Sequence, residues 1–194
     1  MFRLLALAAL LLASCGGPYT YRGGPVDPPT KAYDFTLTRD DGAPFTLSQQ
    51  TGKVTLLFFG FTHCPDVCPT ALADVAAVRR KLGPAAKDVQ LAFISIDPAR
   101  DTPQVMANYV HSFDPTFIGL SATQAQLDPI LAAYGASATR RDLPGSALGY
   151  TMDHTAFTYL IDQRGNWRLI FEPGMSVEDM TSDVAHVVQS GGAA

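Results

Sequence analysis

Cys64 and Cys68 are four residues apart in Phe58-Phe59-Gly60-Phe61-Thr62-His63-Cys64-Pro65-Asp66-Val67-Cys68-Pro69. That spacing puts two sulfurs on one face of a helical turn. An apolar run, Val54 to Phe61, leads into the pair, and an Ala-rich stretch with helix signals follows from Thr70 to Leu82. The cysteines therefore sit between the carboxyl end of a buried strand and the amino end of a helix. Open α/β sheets bind ligands at that end of their strands. A helix N-terminus favours thiolate over thiol, so these sulfurs are expected to be more acidic than a free cysteine. Such a pair can close a disulfide or hold a soft metal as a dithiolate. A purely structural disulfide is the weaker reading, because closing so short a loop removes little chain entropy.

His154 is the third candidate. It stands in Thr151-Met152-Asp153-His154-Thr155, at the entry to a late apolar run. Taken alone it is an ordinary core or surface histidine. If its strand neighbours the Val54–Phe61 strand, the imidazole approaches both sulfurs. Two thiolates and one imidazole suit Cu(I), and the imidazole extends tolerance to Cu(II). A structural zinc wants a fourth ligand. The other candidates are weaker. His63 is expected to face outward or lie outside the ligand set, since adjacent residues on a strand-to-turn segment point apart. Met152 and Met175 read as packing residues, and Asp66 as a charge favouring the helix N-terminus. His111 and His186 read as solvent or core residues. Arg140-Arg141 reads as a solvated face, with a docking patch for an acidic partner as the alternative.

The elements that must position these residues follow from periodicity. Phe35–Thr38 and Pro44–Leu47 alternate around Asp40-Asp41-Gly42, which predicts a β-hairpin. Val89–Ile96 is a second buried strand. Thr102-Pro103 opens a helix to about His111, 117–120 is a short strand, and Thr123 caps a helix to about Tyr134. Residues 135–150 read as a loop, 154–161 as a strand, 162–165 as a turn and 167–171 as its hairpin partner. Ser176 caps a final helix to about Val188. This order predicts an α/β fold: a mixed sheet with helices on both faces and an N-terminal β-hairpin. The cysteine pair at a strand-to-helix junction makes the layout thioredoxin-like.

The chain has 194 residues, of which 47% are apolar and 16% charged, with a net charge of −4. This length fits one domain, and low charge with ample apolar content argues against disorder. The lack of a basic run argues against nucleic acid as a partner. Three cysteines are too few for a disulfide scaffold, and the odd one needs a separate job. Cys15 has one on offer. Arg3 precedes a nine-residue apolar run, Leu4 to Leu12, and then comes Leu12-Ala13-Ser14-Cys15. The run has signal-peptide length and is too short to span a bilayer. The small residues before Cys15 resemble a bacterial lipobox, which implies a signal peptide over 1–14 and lipid on the Cys15 sulfur. The alternative is an ordinary signal peptide that a cysteine happens to follow. Between Gly16 and Thr30 lie four glycines and four prolines. Residues 15–32 are therefore expected to form a lipidated cysteine and a flexible tether, with the folded domain over 33–190.

Cys64-Pro65-Asp66-Val67-Cys68-Pro69, preceded by Gly60-Phe61-Thr62-His63 and followed by Asp153-His154, resembles the Sco/SenC family. The resemblance covers roughly residues 33–190. It implies a membrane-tethered, thioredoxin-fold, copper-binding factor for cytochrome c oxidase assembly, with Cys64, Cys68 and His154 as copper ligands. It also implies a role for Asp153 in orienting His154 or tuning its charge, as carboxylates behind metal-bound histidines do. Many family members use a transmembrane helix as anchor, and here the lipobox would replace it. The implied partner is the CuA site of cytochrome c oxidase subunit II, with a separate thioredoxin-like reductant or another copper donor behind it. The implied location is extracytoplasmic, as a bacterial membrane-anchored lipoprotein.

Three functions compete on these residues. One is copper delivery to a partner's CuA site. Another is thiol–disulfide reduction of the partner's cysteines without copper transfer. A peroxidase is the poorest fit, because the P-x-x-x-T-x-x-C pattern of peroxiredoxins is absent: positions 57–61 hold no proline, and Thr62 is two residues from Cys64.

Overall fold

The structure, a computed structural model, describes residues 19–192. The leader expected over 1–14 and Cys15 lie outside them. In chain order the elements are β1 (Gly24–Lys31), β2 (Thr36–Arg39), β3 (Pro44–Thr46), β4 (Val54–Gly60), α1 (Val67–Leu82), β5 (Val89–Ser95), α2 (Pro103–His111), β6 (Ile118–Ser121), α3 (Gln124–Ala133), β7 (Ala138–Asp142), β8 (Tyr150–His154), β9 (Thr158–Ile161), β10 (Asn166–Phe171) and α4 (Val177–Ser190). Eight strands form one mixed sheet in the order β1-β10-β9-β4-β5-β6-β2-β3. The central trio β4, β5 and β6 is parallel, and the flanking pairs are antiparallel. Every residue of β4 and β5 is buried. That requires cover on both faces of the sheet and explains why both strands read as unbroken apolar runs. α1 packs beside α4, and α2 lies beside β6. The expected hairpin is β2–β3, with Thr36 opposite Thr46. Thr123 and Gln126 close a capping box on α3.

Three expectations need correction. Residues 19–32, expected as tether, are built into the fold. β1 pairs with β10, with a register shift between Pro25 and Thr30. Prolines are tolerated there because β1 is an edge strand and one side of its backbone needs no ladder partner. Ahead of β1 the chain is clasped to α4. The buried Asp183 carboxylate accepts from the Tyr19 hydroxyl (2.8 Å), the Arg22 amide (3.0 Å) and the Gly23 amide (2.8 Å). Tyr19 also stacks flat on His186, ring centroids 3.9 Å apart. Gly23 is needed where it is, since a Cβ would come within 2.8 Å of the Phe171 ring. Four glycines and four prolines hid these contacts, because the contacts are made by backbone amides and by Tyr19.

Residues 135–150, expected as a loop, contain β7, which pairs with β8 in a separate two-stranded sheet. β7 is Ala-Thr-Arg-Arg-Asp and its last four residues are exposed, so it has no buried face to leave an apolar alternation. The strand expected over 154–161 is two strands: β8 ends at His154 and β9 begins at Thr158, in different sheets.

The clasp yields a stability prediction. Asp183→Ala leaves the buried Gly23 amide without its acceptor, at about 1–3 kcal/mol, and removes two half-buried bonds, from the Arg22 amide and from the Tyr19 hydroxyl, which keeps Ser182 as a partner. Urea unfolding is expected to register a loss of about 2–4 kcal/mol. A change below about 0.5 kcal/mol would mean that residues 19–23 contribute nothing to the folded domain.

Candidate metal centre

Cys64 and Cys68 sit where β4 gives way to α1. β4 ends at Gly60, opposite Ser95 of β5, and the Gly60 carbonyl accepts from the Ile96 amide at 2.9 Å. The chain then turns, with the Cys64 amide bonded to the Phe61 carbonyl at 3.2 Å. α1 begins at Val67, three residues earlier than its apolar pattern implied. Cys68 is therefore in its first turn and Cys64 lies just ahead of it. Pro69 falls in the same first turn, where an absent N–H leaves no helical bond unmade. The Cys68 amide is one of the free N–H groups of that turn, and it points at Cys64 Sγ, 3.5 Å away.

Two buried features fix this corner. The first is the absence of a side chain at Gly60. A Cβ there would lie 2.9 Å from Cys68 Sγ and 2.8 Å from both the Phe58 and Phe93 rings. Sulfur occupies the space that any other residue would fill. The second is Asp101, whose carboxylate is fully buried. It accepts from the Thr62 hydroxyl at 2.6 Å, the Thr62 amide at 3.1 Å and the Ser95 hydroxyl at 2.7 Å. It thereby ties the turn after β4 to the end of β5. In the sequence Gly60 stands out only as part of the Gly60-Phe61-Thr62-His63 stretch, and Asp101 does not stand out. Asp101 directly precedes the Thr102-Pro103 helix start and reads there as one more polar residue of a cap.

His154 closes the site from the end of β8. Its Nε2 lies 3.5 Å from Cys68 Sγ, and its Nδ1 lies 3.0 Å from the Thr155 carbonyl. The rings of Phe58 and Phe61 stand edge-on to the imidazole at 6.2 and 5.8 Å. Cys64 Sγ, Cys68 Sγ and a ring nitrogen of His154 all lie within 4.8 Å of one another. Cys64 is half-buried, Cys68 buried and His154 half-buried. The route expected for His154 was a strand beside β4. The structure reaches the same juxtaposition through the separate β7–β8 sheet.

The two sulfurs are electrostatically unequal. A hydrogen bond from the Cys68 thiol holds Cys64 down to about 4, with His154 and the amides of Asp66 and Cys68 adding to it against the effect of burial. Cys68 moves the other way, pushed up by that same bond to Cys64 and by burial. One thiolate thus exists ready-made at the helix N-terminus, and its neighbour holds the shared proton.

The remaining candidates separate clearly. Asp153, expected to orient His154, is exposed and forms a two-bond pair with Arg141 at 2.8 and 3.2 Å. Strand alternation turns Asp153 to the face opposite His154, so a backbone carbonyl meets the imidazole instead. His63 points out of the site, its Nδ1 3.1 Å from the Thr62 hydroxyl and 3.9 Å from Asp101. Asp66 occupies the N-cap position without a side-chain cap bond. Met152 and Met175 pack against the core. His111 approaches Asp40 at 3.2 Å, and His186 stacks on Tyr19.

Residues 25–189 match the SCO1/SenC family. A SCO2-like protein of Rickettsia felis is 37% identical over 134 residues, which are 69% of this chain and 65% of that protein. The mitochondrial SCO2 of Saccharomyces cerevisiae is 41% identical over 137 residues, 69% of this chain and 44% of the yeast protein. The chain thus spans less than two thirds of the length of either relative. Among solved structures, Bradyrhizobium japonicum ScoI with copper bound has a TM-score of 0.73 at 40% identity, covering 81% of this chain and 99% of that one. Apo Sco1 of Thermus thermophilus has a TM-score of 0.76 at 36% identity, covering 90% and 99%. The expected thioredoxin-like α/β architecture is the one these neighbours share. With its fold, its motif region and most of its length matched, the chain belongs to the SCO1/SenC family.

Proposed function

We propose that this protein carries copper on Cys64, Cys68 and His154 and helps build the CuA centre of cytochrome c oxidase subunit II, working from a lipid anchor on Cys15 at the extracytoplasmic face of a bacterial membrane. One observation carries the copper reading: two sulfurs and an imidazole nitrogen, drawn from two segments of chain about ninety residues apart, converge within 4.8 Å. That donor set is soft, thiolate-rich and three-fold, which fits Cu(I) and accommodates Cu(II). ScoI of Bradyrhizobium japonicum, with copper bound, supports it by likeness.

Copper is the cargo. Cys64 offers a thiolate without a further proton cost. Cys68 gives up its proton as metal binds, so loading releases a proton and strengthens as pH rises. The Thr155 carbonyl, at Nδ1, fixes the tautomer that leaves Nε2 free to face the sulfurs. No helix among the described residues is long and apolar enough to cross a membrane. The proposed anchor is the lipid. The proposed partner is subunit II, and another copper donor or a thioredoxin-like reductant would load the pair or keep it reduced.

The inequality of the two cysteines favours a second reading, thiol–disulfide reduction. The Cys64 thiolate would attack one sulfur of a partner disulfide and expel the other as a thiolate. Cys68, losing its proton, would then attack Cys64 Sγ and release the partner's second sulfur. Two electrons pass to the partner, and a Cys64–Cys68 disulfide remains.

The copper reading predicts that Cys64→Ala and Cys68→Ala each abolish tight binding of Cu(I) and Cu(II). His154→Ala weakens Cu(II) more than Cu(I), because a dithiolate alone holds Cu(I). Competition titration with chromophoric chelators measures both. An oxidised Cys64–Cys68 pair that binds copper as tightly as the reduced one would exclude a two-thiolate site.

The reductase reading generates a pH prediction. With Cys64 held near 4, it is thiolate across the neutral range. Its alkylation by iodoacetamide in the metal-free protein should change by less than about twofold from pH 6 to 8.5. A free cysteine with the usual value near 8.5 would speed up about a hundredfold. Mass spectrometry of the labelled peptide reads the site, and a hundredfold rise at Cys64 would mean that its thiol is not activated.

For the anchor, Cys15→Ser is expected to release the protein from the membrane fraction or to block its processing, while copper binding by the folded domain persists. A Cys15→Ser protein that stays membrane-bound with its leader cleaved normally would rule out lipid at this position.

A further inference from the structure

His154 and the cysteines belong to different sheets. The β7–β8 ribbon has no backbone ladder to the eight-stranded sheet among the described residues. An isolated two-stranded ribbon is marginal in water. Something must hold it against the domain if His154 is to stay 3.5 Å from Cys68 Sγ. Alternation puts Tyr150, Met152 and His154 on one face of β8. At the far end of that face, about 13 Å from His154 along the strand, Tyr150 is gripped. Its hydroxyl donates to buried Asp97 at 2.7 Å. Its ring lies between two guanidinium groups, with Arg100 at 3.6 Å and Arg140 at 3.8 Å from the centroid.

Arg100 is the hub. It stands between β5 and α2 and donates through Nε to Asp97 at 2.5 Å. Its other arm donates to the carbonyls of Tyr150 at 3.1 Å and Leu148 at 3.4 Å. It also lies 5.8 Å from the Phe61 ring, the same ring that stands edge-on to the imidazole. The grip is chained to the cysteine side as well. The Asp97 amide donates to the Ser95 hydroxyl, Ser95 donates to Asp101, and Asp101 holds Thr62, two residues from Cys64. One hydrogen-bonded series therefore runs from the strand that carries His154 to the turn that carries Cys64.

We propose that Asp97, Arg100 and Tyr150 are positioning residues that latch β8 to the domain and so decide whether the centre presents three donors or only two sulfurs. This rests on the copper reading for its consequence, but the latch itself is a property of the metal-free protein. With the latch closed, imidazole completes the site. With it open, β8 keeps its own ribbon, the packing of Met152 on the core, the chain into β9 and the contacts of His154, but its far end is free, and the two sulfurs remain.

The test uses Arg100→Ala, with Tyr150→Phe as the milder variant that keeps the ring and removes the bond to Asp97. Two properties are read: amide hydrogen exchange in the metal-free protein, and copper binding with the Cu(II) thiolate charge-transfer band and EPR spectrum. For Arg100→Ala the β7–β8 amides are expected to exchange at least tenfold faster, with β4 and β5 unchanged. Cu(II) affinity should fall tenfold or more, toward that of His154→Ala, and Cu(I) affinity should stay within about threefold. Tyr150→Phe should move both readouts in the same direction by less, and it carries the test if Arg100→Ala does not fold. Arg141→Ala breaks only the exposed pair with Asp153 on the other face and should leave both readouts at wild type. Wild-type exchange in β8 together with a wild-type Cu(II) spectrum in Arg100→Ala would overturn the latch. Equal loss of Cu(I) and Cu(II) would overturn it too, because it would mean general disruption. A wild-type protein that binds no copper would sink the copper reading, and the exchange measurement would still decide the latch.

Discussion

The buried carboxylate of Asp101 is the contact on which the site depends. A strand buried on both faces must end somewhere, and where β4 ends its backbone has to leave the ladder in an apolar setting. An amide or hydroxyl stranded there would cost about 1–3 kcal/mol. Asp101 accepts from the Thr62 amide, the Thr62 hydroxyl and the Ser95 hydroxyl together. That lets the chain turn at Phe61 and hand Cys64 to the front of α1. Gly60 completes the corner from behind by leaving the space that Cys68 Sγ fills. A carboxylate and a missing side chain thus set where two sulfurs stand.

The chemistry follows from that placement. A sulfur in front of free helical amides is stabilised as an anion, and a second sulfur behind it is buried. The pair is therefore asymmetric before any metal or partner arrives. The same asymmetry suits a metal carrier, which needs one thiolate to begin capture. It also suits a reductant, which needs one sulfur to attack and one to resolve. The third donor weighs differently in the two roles: imidazole would be a ligand to copper, whereas in disulfide exchange it only adds to the bonds that keep Cys64 a thiolate.

What the sequence made legible was what depends on local pattern. β4 and β5 announced themselves because both faces are buried, and Cys64 and Cys68 because they flank a strand-to-helix junction. Thr102, Thr123 and Ser176 marked their helices by the hydrogen bonds that caps require. What stayed hidden depends on partners distant in sequence. β1 is proline-rich edge strand, and composition alone cannot distinguish that from a tether. β7 pairs through its backbone and carries its side chains to solvent, so no alternation betrays it. Asp153 is adjacent to His154 in sequence and on the opposite face in space. Asp101 serves a turn 39 residues away, a distance over which sequence pattern carries no signal.

The clasp of Tyr19, Arg22 and Gly23 onto Asp183 has a geometric consequence for the proposed anchor. A free tether over residues 15–32 would let the domain roam about 60 Å from its anchor when extended. With Tyr19 already docked on α4, only four peptide steps separate Cys15 from the folded body, at most about 14 Å of chain. A lipid on Cys15 would then hold the domain against the bilayer surface. Its encounters would become those of a raft confined to a plane, where a short leash raises the effective concentration toward other residents of the same membrane. The clasp would thus select partners by where they live before any contact selects them by shape.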